Sequence, residues 1–270
     1  MCSRVAAQQG APADVLAFAP LRQPAAELMH WAALYFSEVH LMRVSRVVSI
    51  LLFLSLMVLS PFGFAQKSTG EFARIVVIQP KAGHAGEFTA GYQRHLLWHK
   101  DNKDPWTWHG WTFVLGERIG QFMDGTFGHA ASDFDHAVNP AADAADNGQN
   151  VTPHADFVSH GVYERLKAAS TGTMLPDASP YMTLHTYVVS PGQEAAFENA
   201  ILEFAKHAKH QPLSWYKLRV GGPVAQYLLV RPAQSFSAGG LVEDVVLPAG
   251  VVQQAKSELL RYQPQMSYVP

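Results

Sequence analysis

The chain carries one sequence pattern twice, and this repeat limits the fold more than any other feature. Residues 75–88 and residues 184–197 both run from an extended, β-branched stretch through a glycine to a phenylalanine five residues later. The two phenylalanines are 109 positions apart (197 − 88), and at that offset Trp106 falls on Trp215. A repeat of this length predicts two copies of one small folding unit, so each copy serves as a control for the other.

Each copy has patterns of strands and helices in the order β-α-β-β-α-β. For the first copy we predict strand 74–79, helix 84–101, strands 105–115 and 121–128, a long loop through 139–150, helix 152–169 and strand 173–175. For the second copy we predict strand 182–189, helix 193–209, strands 213–220 and 225–230, helix 249–261 and strand 266–269.

That order is the ferredoxin-like arrangement, whose sheet leaves one face uncovered. Two such units in tandem would bury these faces against each other. We therefore expect an α+β fold in which a first repeat, residues 72–176, and a second repeat, residues 181–270, form an intramolecular barrel.

The first strand, the Gly-x4-Phe opening of the first helix and the doubled unit resemble the dimeric α/β-barrel superfamily. That superfamily includes antibiotic-biosynthesis-type monooxygenases, stress-responsive barrel proteins and haem-degrading relatives. The resemblance implies that two copies form in one chain the barrel that single-copy members form by dimerising. The chain would then be a monomer with an internal pseudo-dimer. No branch-specific signature is present, so no catalytic residue is carried over.

Residues 42–65 have the layout of a secretory signal peptide. A short basic start leads into an apolar run, and a small-x-small site ends at Ala65. We expect cleavage after Ala65, a secreted or periplasmic location, and no membrane attachment afterwards. Residues 1–41 are then an upstream extension of the reading frame or a real pre-segment. The alternative to cleavage is a membrane anchor, because residues 47–65 contain no charged side chain.

Composition excludes several functions. Hydrophobic residues make up 48% of the chain and charged residues 16%, as in globular domains that bury a core. A formal charge of −2 offers no basic field for nucleic acid. Cys2 is the only cysteine, which excludes disulfide frameworks, thiolate metal sites and a cysteine nucleophile.

Comparing the two copies locates candidate site residues. On the inward face of the first helix, Tyr92, His95 and His99 stand where the second copy has Ile201, Phe204 and Ala208. On the second strand, His109 and Trp111 stand opposite Leu218 and Val220, and on the third, with a four-residue shift, Asp124 stands opposite Leu229. Buried polar groups need hydrogen-bond partners, so these replacements predict a polar pocket in the first copy.

We assign the roles as follows. The catalytic candidates are His95, His99, His109 and Asp124, the substrate-binding candidates are Tyr92, Trp108 and Trp111, and the reserve site in the second copy is His185 and Tyr187. The leading hypothesis is a cofactor-independent, monooxygenase-like enzyme for a planar aromatic or apolar small molecule, in which a histidine takes a proton.

Two alternatives stay open. The first is haem or metal binding through His95, His99, His109 or His160. The i, i+4 spacing of His95 and His99 suits helical zinc ligands, and a third ligand would come from His109 or Asp124. The second alternative is a non-catalytic interaction module.

Overall fold

The computed structural model describes residues 70–172, 179–208, 212–240 and 245–270. The expected signal peptide, the segment before it and the expected strand 173–175 lie outside the described residues. Below, the first half means residues 70–172 and the second half means the described residues from 179 onward.

Eight antiparallel strands close into a barrel. They are β1 (Phe72–Pro80), β2 (His109–Leu115), β3 (Phe122–His129), β4 (Ala155–Arg165), β5 (Tyr181–Val189), β6 (Ser214–Val220), β7 (Gln226–Ala233) and β8 (Val252–Tyr262). Their order around the barrel is β1-β3-β2-β8-β5-β7-β6-β4. The first half supplies β4-β1-β3-β2, the second supplies β8-β5-β7-β6, and β2–β8 and β4–β6 pairs join them. This closed sheet fits the α+β barrel expected from the sequence.

The helices lie outside the barrel. They are α1 (Ala85–Asp101), α2 (Pro140–Asn150), α3 (Glu194–His207) and the short α4 (Phe236–Gly240). Phe88, Tyr92 and Leu96 of α1 pack on the outward residues of β1 and β3, whereas Phe197 and Ile201 of α3 pack on those of β5 and β7. None of the described helices is long and apolar enough to cross a membrane.

Alternate strand residues divide between two cores. Inward side chains fill the barrel with a hydrophobic core that includes Trp111, Phe113, Tyr163 and Tyr216. Outward side chains face the helices, because successive residues of a strand point to opposite faces of the sheet. Any group on β1 or β3 that contacts α1 is therefore separated by the sheet from the barrel interior.

The predicted second helix of the first copy, residues 152–169, is wrong. Those residues form β4 and a short 3₁₀ helix, and the helix is α2, inside the segment predicted as a loop. The Asn139 side chain accepts a hydrogen bond from the backbone of Ala142, and Pro140 occupies the first turn. Asn139-Pro140 and Thr152-Pro153 each combine a residue that can cap a helix N-terminus with a proline at the first helical position. The helix begins at the first of these pairs, whereas the prediction placed it at the second.

The predicted helix 249–261 is also wrong, because its centre forms β8. The predicted terminal strand 266–269 is reduced to an isolated bridge between Trp108 and Tyr268. The first error has a physical cause. The first half of β8 is exposed and only its later residues are buried, so its apolar pattern does not alternate cleanly.

Strand register corrects the comparison between the copies. Val76 pairs with Asp124, and its counterpart 109 residues later, His185, pairs with Leu229, so Asp124 does correspond to Leu229. On the neighbouring strands, Gly110 pairs with Asp124 and Trp215 with Leu229.

It follows that Trp215 corresponds to Gly110 rather than to Trp106. His109 and Trp111 correspond to Ser214 and Tyr216 rather than to Leu218 and Val220, so that comparison was out of register. The reason is local: α1 has 17 residues and α3 has 14, and the connection to the next strand is one residue shorter in the second half. The offset of 109 therefore holds through the first helix and changes to 105 (215 − 110) at the second strand.

A close approach of α1 and α2 at Gly91 gives the first testable prediction. A Cβ at Gly91 would lie 1.9 Å from the carbonyl oxygen of Asn150, whereas a Cβ at Gly86, on the same helix, meets nothing within 4 Å. We expect Gly91→Ala to lower the free energy of unfolding by about 1–3 kcal/mol through overpacking. Gly86→Ala should be neutral or raise it by about 0.5–1 kcal/mol. Chemical denaturation measures both, and equal stability of the two variants would contradict the close approach.

Candidate metal centre

Helix α1 directs three polar side chains into its buried face. Tyr92, His95 and His99 retain only 3%, 4% and 6% of their exposure. Their spacing of three and four residues stacks them along one side of the helix, as the sequence predicted. The apolar residues around them, such as Phe88 and Leu96, hold the helix on the sheet.

Helix α2 presents a polar face to α1. Asp143, Asp146, Asn147 and Asn150 recur at i, i+3, i+4 and i+7 and are half-buried, while the alanines between them are mostly exposed. Asn150 accepts a hydrogen bond of 2.8 Å from Nε of Arg94, which ties the end of α2 to α1. The polar residues of α2 therefore face inward, which reverses the usual pattern of a surface helix.

Carboxylates hold the Nδ1 atoms of both histidines. His95 Nδ1 lies 2.8 Å from Asp146 Oδ1, and His99 Nδ1 lies 2.7 Å from Asp104 Oδ2. A carboxylate accepts hydrogen bonds when ionised, so each Nδ1 carries the proton. In a neutral imidazole the lone pair is then on Nε2. Burial lowers the pKa of His95, against the opposing effect of Asp146, and so favours its neutral form.

The two Nε2 atoms and a third carboxylate converge. His99 Nε2 lies 3.1 Å from His95 Nε2. Asp143 Oδ1 lies 3.3 Å from His95 Nε2 and 3.9 Å from His99 Nε2. Two lone pairs and a carboxylate oxygen at this separation repel one another, and the Asn147 amide, which donates to His95 Nε2 and to Asp143 Oδ1, offsets part of this repulsion. Among the described residues, His95, His99 and Asp143 form a group that could hold a metal ion.

The distances suit a small transition-metal ion. A metal–ligand bond of about 2.0–2.1 Å with tetrahedral angles puts neighbouring ligand atoms about 3.3 Å apart. Two of the observed separations, 3.1 and 3.3 Å, lie near that value, and the third, 3.9 Å between Asp143 Oδ1 and His99 Nε2, is longer. A histidine ligand that donates its other ring nitrogen to a carboxylate is the usual arrangement in metal sites, and both histidines have it here. Asn147 Nδ2 lies 3.0 Å from His95 Nε2 and 3.2 Å from Asp143 Oδ1 and donates to both, so a bound metal ion would take the place of these two hydrogen bonds.

Asp104 connects the centre to two tryptophans. Its carboxylate accepts from His99 Nδ1, from Trp108 Nε1 at 3.0 Å and from the Trp106 backbone at 2.9 Å. Burial would raise the pKa of Asp104, but the hydrogen bonds from His99, Trp108 and Trp106 hold it below its usual value. Asp104 thus stays ionised and fixes both the tautomer and the orientation of His99.

Asp124 lies on β3 under α1. Its Oδ2 accepts a 2.8 Å hydrogen bond from the Tyr92 hydroxyl. Burial raises the pKa of Asp124 to about 6, although Tyr92, Arg74 and His99 act in the opposite direction. Burial, together with the nearby Asp124, raises the pKa of Tyr92, so its phenol keeps its proton.

The structure separates the remaining candidates from this cluster. His109 and Trp111 point into the barrel, where their rings lie 5.7 Å apart and near Tyr262, so the sheet divides them from His95 and His99. Trp108 stays on the outer side, and its ring centroid is 5.4 Å from that of His99. His160 is exposed on β4.

Two further expectations concern the third metal ligand and the reserve site. A third metal ligand was expected from His109 or Asp124, whereas among the described residues the group that could hold a metal ion is completed by Asp143. The reserve site, His185 and Tyr187, is buried under α3, where the Tyr187 ring packs on Phe197 in an apolar core.

Sequence reasoning missed the residues of α2 and Asp104. A signal for α2 was present, because Asp143, Asp146, Asn147 and Asn150 have helical spacing directly after Asn139-Pro140. The segment is rich in Ala, Asp and Asn, a composition that is also typical of a loop and obscures this spacing. Asp104 had no such signal, since a single aspartate in a connection has no periodicity.

Comparisons with known proteins identify no family. No family model matches the chain, and no curated protein matches it. Among solved structures, a candidate monooxygenase from Lactobacillus acidophilus NCFM has a TM-score of 0.48 at 10% identity, covering 73% of this chain and 95% of that one. An anthrone oxidase-like protein has 0.47 at 10% identity, covering 73% and 93%.

A chlorite dismutase from Candidatus Nitrospira defluvii, in complex with imidazole, has a TM-score of 0.46 at 10% identity and covers 72% of this chain and 91% of that one. At such scores and identities these likenesses carry no argument about this chain. The description of the barrel rests on its own strand pairing.

The raised pKa of Asp124 predicts a pH-dependent stability. Because the folded pKa is about 6 and the ordinary value is 3.8, the ionised carboxylate destabilises the fold at high pH. Asp124→Asn should therefore raise the free energy of unfolding by about 1–3 kcal/mol at pH 8. The gain should shrink as pH falls through 6 and disappear below the ordinary pKa. Denaturation across pH measures it, with exposed Asp135→Asn as the control; a pH-independent gain would contradict the burial of the charge.

Proposed function

We propose that this protein binds a divalent transition-metal ion through His95 Nε2, His99 Nε2 and the carboxylate of Asp143. The observation that carries the proposal is the convergence of these three ligand atoms while both Nδ1 atoms are held by carboxylates. A proton shared by the two imidazoles would relieve only part of the repulsion. A divalent cation would neutralise Asp143 and engage both lone pairs.

The donor set decides the class of metal. Two imidazoles and one carboxylate suit Zn²⁺, Fe²⁺ or Co²⁺, whereas Mg²⁺ and Ca²⁺ prefer oxygen ligands. Three protein ligands leave a coordination position for water or for a substrate atom, as in catalytic zinc sites. Bound there, the metal would supply Lewis-acid chemistry and a water molecule with a lowered pKa.

The protein's own residues would prepare this chemistry. Asp104 and Asp146 hold the two histidines in the ligating tautomer, and Trp108 and Tyr92 shield them from bulk water. We favour this function over the cofactor-independent oxygenase, because His109 and Trp111, two of the candidate residues of that hypothesis, lie on the other side of the sheet from the rest. Haem has no comparable support, because the Nε2 atoms of His95 and His99 lie 3.1 Å apart with Asp143 Oδ1 3.3 Å from one of them, which leaves no room for a porphyrin at either nitrogen.

Replacing His95 and His99 by the residues at the equivalent positions of the second copy, Phe204 and Ala208, tests the proposal. In the full-length chain, His95→Phe with His99→Ala should reduce Zn²⁺ affinity at least about 100-fold, since two of three ligands are lost. Metal-free stability should hold or rise, because the lone-pair repulsion and the desolvation of polar groups are removed. Isothermal titration with Zn²⁺ and Mg²⁺ after chelator treatment, with elemental analysis of the purified protein, measures both effects.

Two further variants sharpen this experiment. Asp143→Asn keeps the shape of a half-buried side chain and should also weaken Zn²⁺ binding. His207→Ala removes an exposed histidine from the last turn of α3 and should change nothing. Wild-type protein that binds Zn²⁺ no better than the double variant would refute the metal site.

We also propose that the chain is exported and that its halves arose by duplication of one ferredoxin-like unit. The signal-peptide layout of residues 42–65 supports export. The equal strand order of the two halves and the matched pairs Val76–Asp124 and His185–Leu229 support duplication.

An intramolecular pseudo-dimer predicts that neither half is stable alone. Residues 66–178 expressed separately would expose the inward face of β1–β4 and lose the β2–β8 and β4–β6 pairs. They should aggregate or form a dimer of halves, as seen by light scattering. A cooperatively folded monomer of either half would contradict the interlocked barrel.

A further inference from the structure

A second polar pair lies beside the candidate metal centre, on the outer face of the same sheet. Arg74 pairs with Thr126 in the β1–β3 ladder, and Val76, two residues later, pairs with Asp124. Residues two apart on a strand share a face, so Arg74 and Asp124 are diagonal neighbours outside the barrel. The position of Arg74 corresponds to Thr183 in the second half (74 + 109), and that of Asp124 corresponds to Leu229.

Asp124 has an acceptor that no described residue uses. It is 6% exposed, and Tyr92 donates to Oδ2, whereas Oδ1 accepts no hydrogen bond from the described residues. A buried carboxylate oxygen without a donor costs free energy. Such a group in a native fold needs a reason, and a ligand or water that donates to it is one.

Arg74 has a charge that no described carboxylate pairs with. Its Nε donates to His160 Nε2, and its guanidinium carbon lies 5.6 Å from the centre of the Trp108 ring. Although part of His160 is exposed, desolvation of the rest of its ring and the adjacent charge of Arg74 lower its pKa to about 4, so this partner is neutral at physiological pH. Among the described residues, Arg74 makes no ion pair, and its terminal nitrogens donate no hydrogen bond. Stacking on Trp108 holds the guanidinium ready for an oxyanion.

Trp108 links this pair to the metal centre. Its ring is 5.4 Å from that of His99, measured between centroids, and also lies against Arg74. A ligand at Arg74 and Asp124 would therefore be about one aromatic ring away from the ligating histidines. Trp106, half-buried and 6.1 Å from Trp108, adds a second aromatic surface.

We infer that Arg74 and Asp124 bind a small planar ligand that offers an oxyanion to the arginine and an O–H or N–H donor to the carboxylate. Aromatic hydroxy acids have this chemistry. The two requirements follow from the two unused groups, and planarity follows from the tryptophans beside them. The ligand's reaction at the metal rests on the proposed function, but its binding does not.

In the second half the same place is closed to such a ligand. Thr183 donates to the backbone carbonyl of Gly239 in α4, and Leu229 belongs to the apolar core under α3. The polar pair is therefore a property of the first half alone. The substitutions Arg74→Thr and Asp124→Leu would remove the polar pair and introduce residues that the second half already has at the equivalent positions.

The test uses three probes on the full-length chain at pH 7.5, with and without Zn²⁺. The probes are 3-hydroxybenzoate, which has both groups, benzoate, which lacks the donor, and phenol, which lacks the oxyanion. Calorimetry should show 3-hydroxybenzoate binding about tenfold or more tightly than the other two, because a charge-assisted hydrogen bond is lost with each truncation. Equal affinity for all three probes would overturn the inference.

Variants assign the effect to the two residues. Arg74→Met should weaken the binding of 3-hydroxybenzoate and of benzoate about tenfold or more and leave the affinity for phenol unchanged. Asp124→Leu, made together with Tyr92→Phe so that no hydroxyl is left unpaired, should abolish the advantage of 3-hydroxybenzoate over benzoate. Arg219→Met, which removes an arginine on β6 that pairs with Glu164, is the matched control.

Zn²⁺ affinity is measured on the same samples. Arg74→Met should bind Zn²⁺ like the wild type, so failure of the metal site and failure of this subsite are distinguishable. If Arg74→Met bound 3-hydroxybenzoate as tightly as the wild type does, the subsite would be refuted, regardless of whether Zn²⁺ binds.

Discussion

Two carboxylate–imidazole hydrogen bonds determine the chemistry of the first half. Asp104 and Asp146 fix the proton of each histidine on Nδ1, and this leaves both Nε2 atoms as acceptors that face each other. Without these carboxylates, either ring could donate to the other and the pair would be an ordinary buried hydrogen bond. With them, the pair lacks a proton between its acceptors and is suited to a cation, and Asp143 adds the negative charge that a cation would neutralise.

This arrangement depends on the packing of two helices from different parts of the chain. Helix α1 is held against the closed sheet by Phe88 and Leu96, and α2 approaches it at Gly91, where any side chain would meet the backbone of Asn150. This close approach places the polar face of α2 against the buried face of α1 that carries His95 and His99. A barrel whose strands are paired on both sides is a rigid base for such a site, since its position does not depend on a loop.

The sequence predicted the closed α/β framework and the buried polar face of α1, because both follow from periodicity and from comparison of the copies. The prediction failed at α2, because two segments have similar helix N-cap sequences. It also failed at β8, because the exposed first half of that strand lacks a regular alternation of polar and apolar residues. The partners of His95 and His99 could not be predicted. Asp104 lies in an irregular connection and Asp143 on a helix far along the chain, and only tertiary packing brings them together.

The second half explains how the first can tolerate its site. Around α3 the equivalent layer consists of Phe197, Ile201, Trp215, Tyr227 and Leu229, a dry core that favours folding. Around α1, Tyr92 and Asp124 stand at the positions of Ile201 and Leu229. His95 and His99 stand at those of Phe204 and Ala208, and the burial of such polar groups costs free energy unless each is paired. Because the β2–β8 and β4–β6 pairs join the halves into one sheet, the first half cannot unfold without opening the barrel. The hydrophobic layer of one half therefore supports the polar layer of the other, and a functional site can persist where an isolated unit would be less stable.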